Sequence, residues 1–293
     1  MLKNMRPGLD DKYGILELQD KILEIMIYID EICKKEEIDY CLMAGSALGA
    51  KRHKGFIPWD DDIDIYMTEE EYSRFRDVFN QKGDKERFYL QEWGKTDYKG
   101  QHMITMAKVR MNKTEIKEKA YLNWKIHQGI FVDIFVMHNC PNEIKKQVKQ
   151  YLWAELVVLK GLQIRGYKRK NLKDAIVLKI SEAFSRQWVL KHGLRNVYKY
   201  QNTKAKYVSG FIDTRDFKRA VFPKEIMFPT KYVDFENVKL RVPANNDEYL
   251  RIQFGEDYMS LPPIEKREVS KHAMSWNCVI DIKYDFEDEN KLI

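Results

Sequence analysis

Apolar side chains recur at three- and four-residue spacing over Leu18, Ile22, Ile25, Met26, Ile29 and Cys33, with Glu and Lys between them. That period predicts an amphipathic helix ending near Lys35. Ile38 to Met43 is a short apolar run, read as a strand leading into Gly45-Ser46. Ala47 to Lys51 predicts a short helix whose first N–H groups face a bound anion. Asp62-Ile63-Asp64-Ile65 alternates with the period of a strand. Asp60, Asp62 and Asp64 are therefore expected on one face, Ile63 and Ile65 on the other.

Helical spacing returns from Glu69 to Asn80, with Tyr72, Phe75, Val78 and Phe79 on the apolar side. Phe88–Gln91 and Met103–Arg110 read as strands around a turn-prone stretch at 94–100. Gly129–Val136 is the most apolar strand, and a lone carboxylate, Asp133, interrupts it. Residues from 143 to about 200 read as two or three helices with a basic loop at Tyr167–Lys170, and the last third is proline-rich. Interleaved helices and strands make an α+β (mixed α/β) fold, a core sheet flanked by helices with a basic helical insertion.

Composition narrows the classes. With 44% hydrophobic and 13% aromatic residues in 293, the chain is not disordered. No apolar run is long enough to cross a bilayer, and Met1–Gly8 lacks the apolar core of a secretory signal. Cys33, Cys41, Cys140 and Cys278 lie far apart, which suits buried thiols in a reducing cytoplasm. From Glu143 to Lys206 there are 16 Lys and Arg against 4 Asp and Glu, a local excess of +12 in a chain of net charge +6. Such a segment suits an anionic partner: a phosphorylated or lipid-linked glycan, or lipid headgroups met by peripheral contact at the inner membrane face. Nucleic acid is not indicated, because net basicity is mild and no recognition motif is present.

The chemistry centres on residues 45–64. Gly45 and the Ser46 hydroxyl, with backbone N–H groups, can approach phosphate oxygens unobstructed. Asp62 and Asp64, one residue apart, are placed to hold metal ions that neutralise charge as a phosphorus–oxygen bond breaks. Asp133 completes a three-carboxylate site if its strand lies beside the acidic one, where it could take a proton from an attacking hydroxyl. Oxygen-only ligands favour Mg²⁺ or Mn²⁺. Arg52 is a candidate for a bidentate phosphate contact and Lys108 for a point-charge one. The histidines show no ligand spacing.

The block from Ala44-Gly45-Ser46 through Arg52-His53-Lys54-Gly55-Phe56-Ile57-Pro58-Trp59-Asp60-Asp61-Asp62-Ile63-Asp64 closely resembles the signature of the LicD family. That family includes bacterial phosphocholine transferases and is related to fukutin-type ribitol-phosphate transferases. The resemblance continues through Ala107–Arg110, Gly129–Phe135, Phe235-Glu236 and Phe254–Met259 to Leu261–Arg267, in order along nearly the whole chain. It implies one LicD-type domain over 1–293: a nucleotidyltransferase-like core at about 10–140, the basic helical region at about 143–206, and a completing region at 207–293. It implies transfer of a phospho-alcohol from a CDP-linked donor, usually CDP-choline, to a hydroxyl of a teichoic acid, lipopolysaccharide or capsule. The family's metal-binding pair falls on Asp62 and Asp64 and its third carboxylate on Asp133. Two departures stand out. Gly45-Ser46 replaces the usual Gly-Thr, and Val136-Met137-His138-Asn139 lacks the aspartate expected after the third strand. Two rival readings remain: a nucleotidyltransferase that leaves NMP on its acceptor, and a non-catalytic basic module that binds phosphoglycan or membrane.

Overall fold

The structure, a computed structural model, describes residues 10–92, 106–118, 126–164, 172–213, 216–269 and 273–279. The expected turn at 94–100, the start of the strand predicted from Met103 and the basic loop at 167–170 lie outside those residues.

Helix α1 (Leu16–Lys35) follows the predicted period and buries Leu18, Ile22, Ile25, Met26, Ile29 and Cys33. The strand expected at 38–43 is reduced to β1 (Cys41–Leu42), and α2 runs over Ala44–Arg52. β2 is Asp64–Thr68 and leads directly into α3 (Glu69–Lys82). Thr68 Oγ1 accepts from Glu71 N at 3.2 Å and three glutamates fill the first turn, so sequence chemistry starts this helix sharply. Then come β3 (Phe88–Gln91), β4 (Ala107–Met111), β5 (Glu115–Glu118) and β6 (Phe131–Cys140).

β6 is the spine. Its first half pairs parallel with β2 and antiparallel with β4, and β3 adds beyond β4. The sheet order is β1-β2-β6-β4-β3. A parallel neighbour to β2 requires a long crossover, and the intervening α3, β3 and β4 supply it. β6 runs four residues past the predicted end at Val136, and His138–Cys140 pair with β7 (Tyr207–Ser209), which pairs in turn with β8 (Val221–Pro223).

Between β6 and β7 lie α4 (Ile144–Ile164), α5 (Leu172–Glu182), α6 (Arg186–Trp188), a π-helical turn at Val189–Leu194, α7 (Arg195–Val197) and a 3-10 turn at Tyr198–Tyr200. These helices pack on small clusters of their own, such as Cys140, Ala154, Val158, Val197 and Phe211, separate from the main core under α1. Beyond β8 come α8 (Lys224–Met227), the hairpin β9 (Lys231–Phe235) and β10 (Val238–Val242), α9 (Asn246–Phe254) and β11 (Ala273–Asn277), which pairs with β5.

Gly49 sets how tightly α2 folds back on the segment leading to the acidic loop. A Cβ there would lie 2.5 Å from the Gly55 carbonyl oxygen, a backbone atom with little room to give. Gly→Ala inside a helix ordinarily stabilises by about 1 kcal/mol. Here Gly49→Ala is expected to have the opposite sign, lowering stability by roughly 1–3 kcal/mol in urea unfolding. A stabilised Gly49→Ala variant would contradict the close approach.

Candidate active site

One row of polar side chains crosses four strands. Asp64 on β2 is opposite Asp133 on β6, Asp133 is opposite Lys108 on β4, and Lys108 is opposite Gln91 on β3. Directly opposed residues project from the same side of a sheet, so pairing alone gathers them. Lys108 Nζ stands 2.8 Å from Asp133 Oδ1 and donates to Oδ2 at 3.1 Å. Glu118 is 3.6 Å away, and the Phe131 ring centre lies 3.3 Å below the ammonium. Arg110, two residues further along β4 and fully buried, donates to Gln91 Oε1 at 2.9 Å and to the Gly129 carbonyl at 2.7 Å, and pairs with Glu118 at 3.3 Å.

The acidic stretch differs from the expected strand. β2 begins only at Asp64, and Asp60-Asp61-Asp62 form a loop ahead of it. Strand alternation therefore does not place Asp60 and Asp62; the loop does. Carboxylate oxygens of Asp60, Asp61 and Asp62 all lie within 4.8 Å of one another. Alternation would have sent Asp61 to the opposite face, yet it is buried in this cluster. The loop is pinned from α1, where Gln19 Nε2 donates to the Asp60 carbonyl at 2.9 Å and to the Ile57 carbonyl at 3.3 Å. Gly45, in the first turn of α2, lets the loop come close, since a Cβ there would sit 2.8 Å from Asp60 Oδ2.

Ser46 Oγ accepts from Asp64 N at 2.9 Å, tying the small-residue turn to the first residue of β2. Ala44 holds a left-handed φ of 41° with its N–H donated to the Tyr249 hydroxyl at 2.9 Å, a local strain at the entrance to this helix. The helix thus starts at Ala44, earlier than the expected Ala47, and takes Gly45 and Ser46 into its first turn.

Burial pushes the Asp133 carboxyl up to about 6, against the opposing pull of Lys108. Asp64 is raised by burial first and then by Asp62, Asp133 and Asp60. These carboxylates crowd one another with Lys108 as the cation facing them, and their donors are all oxygen. That set suits a hard divalent ion: the carboxylates at ligand spacing are Asp60, Asp61 and Asp62, with Asp64 and Asp133 of the expected triad adjoining them.

Two expected phosphate contacts are differently engaged. Lys108 is a buried counter-ion of Asp133 rather than a cation reaching outward. Arg52 donates to the carbonyls of Tyr258 at 3.2 Å and Ser260 at 3.0 Å and to His53 Nε2 at 3.0 Å. It remains half-exposed, with its basicity lowered by burial and then by the nearby Arg267. Arg52 and Arg267 thus form a cationic pair beside the acidic loop, with His53 as a neutral acceptor of Arg52. A cavity of about 470 Å³ opens there, lined among others by Tyr13, Gln19, His53, Trp59, Glu236 and Arg267. The Tyr13 and Trp59 rings meet edge-on at 5.8 Å, and the Arg267 guanidinium lies 5.8 Å from the Trp59 centre.

Glu118, Gln19, Tyr249 and Asp213 escaped sequence reasoning. Asp213 accepts a short hydrogen bond from the Tyr66 hydroxyl, and Tyr249 feels both Asp213 and Asp64. Nothing local marks these residues, since each reaches the site through long-range packing. At the position where an aspartate was expected, Asn139 instead donates to the carbonyls of Gln201 at 2.6 Å and Thr203 at 3.2 Å, stitching β6 to the helical region.

Comparison with known proteins places the chain among relatives. The family model for the LicD/FKTN/FKRP nucleotidyltransferase domain matches residues 37–155, which contain every carboxylate of the proposed metal site. The lipopolysaccharide cholinephosphotransferase LicD of Haemophilus influenzae is 32% identical over 264 residues, covering 88% of this chain and 96% of that protein. Uncharacterized proteins of Rickettsia typhi and Rickettsia prowazekii are 37% and 35% identical over 60 residues, covering 19% and 23% of their own lengths.

The raised carboxylates give a pH signature. The folded chain holds the Asp133 proton up to about 6, the unfolded chain only to its ordinary 3.8. Between these values the folded state binds more protons, so this group's stabilising contribution is lost as pH rises through that window. Mg²⁺ binds the anionic forms and is expected to offset the loss. The gap in urea midpoint between Mg²⁺ and EDTA should be small near the lower value, then widen as pH rises through about 6. The corresponding difference in unfolding free energy should reach about 2.7 kcal/mol at a hundredfold excess over Kd. Superimposable curves in Mg²⁺ and EDTA would show that these carboxylates take no ion.

Proposed function

The chain belongs to the LicD family of transferases, and from that premise we propose that it moves phosphocholine from a CDP-linked donor to a hydroxyl of a cell-surface glycan. The observation that carries this reading is the opposition of Asp64 and Asp133 across β2 and β6, with the Asp60–Asp62 loop alongside. Its full-length similarity to a lipopolysaccharide cholinephosphotransferase supports phosphocholine as the group and a lipid-anchored glycan such as lipopolysaccharide as the acceptor. Teichoic acid and capsule are acceptors of the same chemical kind. The proposed location is the cytoplasm, at the inner membrane face.

In the proposed reaction the glycan hydroxyl oxygen bonds to the phosphorus that bears choline as the bond from that phosphorus to CMP breaks. Asp133 takes the hydroxyl proton. In the ion-free chain burial holds its carboxyl up to about 6, and an ion bound beside it would lower that value. Lys108, at 2.8 Å, keeps it anionic and fixed in orientation between turnovers. Asp62, Asp64 and Asp133, with Asp60 and Asp61 adjoining, would hold a Mg²⁺ or Mn²⁺, which would supply neutralisation of charge on the phosphoryl oxygens. Gly45 and Ser46 keep α2 close against the acidic loop. Arg52, with His53 and Arg267, supports the reading of a diphosphate at the mouth of the cavity, and Trp59 and Tyr13 offer rings for the choline or the base.

Asp62→Asn is expected to lower turnover of CDP-choline by about a thousandfold while leaving the urea midpoint near that of the parent chain. Release of CMP with a phosphocholine-sized mass gain on the acceptor measures the reaction. Near-normal turnover by Asp62→Asn would overturn the assignment, and a nucleotide-sized gain on the acceptor would replace it with nucleotidyl transfer.

A further inference from the structure

Helix α4 has two unlike faces. One buries Gln147, Gln150, Ala154, Val157 and Val158 against the helical region's own clusters. The other exposes Ile144 (59%), Val148 (42%) and Leu152 (61%). These positions are four apart, so the side chains stand one above another over two turns. Helix α5 repeats the device with Ile176 (54%) and Ile180 (55%). Lone exposed aliphatics are ordinary, but stripes on consecutive helices mark a surface that meets something apolar.

The same helices are basic. Lys145 and Lys149 each follow a member of the α4 stripe, and Lys179 precedes Ile180; all three are exposed. Among the described residues none of the three has a carboxylate partner, whereas Lys146 is paired with Glu143. In sequence, the segment from 143 to 206 that includes these helices carries an excess of +12. A second copy of the chain would bring like charge against like, which argues against self-association here. Nucleic acid would answer the lysines and leave the isoleucines without purpose. An anionic bilayer answers both, with acyl chains for the stripe and headgroup phosphates for the lysines.

We propose that α4 and α5 form a docking surface for an anionic lipid bilayer, seating Ile144, Val148 and Leu152 at the acyl boundary and Lys145 and Lys149 among the headgroups. Neither helix contributes a residue to the carboxylate site, so this inference stands or falls apart from the proposed reaction.

The test is co-sedimentation of the full chain with vesicles of phosphatidylcholine alone and of phosphatidylcholine mixed with phosphatidylglycerol. Binding is expected only to the mixed vesicles and should weaken with added salt. Val148→Glu with Leu152→Glu should reduce partitioning more than about tenfold, and Lys149→Glu about fivefold or more. Val148→Trp should strengthen it. Because these side chains are exposed, unchanged urea midpoints will separate lost docking from lost folding. The proposal is overturned if the double glutamate variant binds mixed vesicles as the parent does. It is also overturned if the parent binds no vesicles. A parent dimer in ultracentrifugation that Leu152→Glu dissociates would reassign the face to a second copy.

Discussion

The pairing of β2, β6 and β4 is the constraint on which the site depends. It fixes Asp64 opposite Asp133 and Asp133 opposite Lys108, so three charged groups share one side of the sheet without any loop having to hold them. A one-residue slip of β6 would turn Asp133 into the apolar layer with Val132 and Ile134 and present those residues to the carboxylates instead. The apolar side of β6 is what forbids the slip. Burial of Val132, Ile134 and Val136 thereby becomes, one link further along, the positioning of the Asp133 carboxylate.

Lys108 shows how such a site tolerates its own charge. Several carboxylates crowd into a buried space, and the nearest cation among the described residues is a lysine held between Asp133 and Glu118 over an aromatic ring. This arrangement only partly offsets desolvation, and Asp64 and Asp133 remain displaced upward. A site that leaves its carboxylates under-compensated is suited to a divalent cation. The strain at Ala44 and the close approaches at Gly45 and Gly49 lie in the same short stretch, where α2 is pressed onto the acidic loop.

Much of this was legible in the chain. The period of α1, the glutamates opening α3 and the apolar run of β6 interrupted by Asp133 are local signals, and local signals survive folding. What alternation could not convey was that Asp60–Asp62 precede the strand, because a run of carboxylates reads the same in a loop as in a strand. Asp60 and Asp62 were assigned to a strand face for that reason, and Asp61 was given no place. The partners of Lys108 and Arg52 were also hidden, since a long cation reaches whatever the fold brings near it. Glu118, Tyr249 and Asp213 arrive from distant segments with no motif of their own. The long similarity around Pro58-Trp59-Asp60 identified the family, while the geometry of the row came only with the sheet.

The central claim is that Asp62, Asp64 and Asp133 hold a divalent ion. Anomalous scattering from crystals soaked in Mn²⁺ tests it most directly. A peak within coordinating distance of Asp62, Asp64 and Asp133 is the expected result. Manganese confined to surface carboxylates, with none at the β2–β6 junction, would contradict the account and leave the row as a structural ion-pair network.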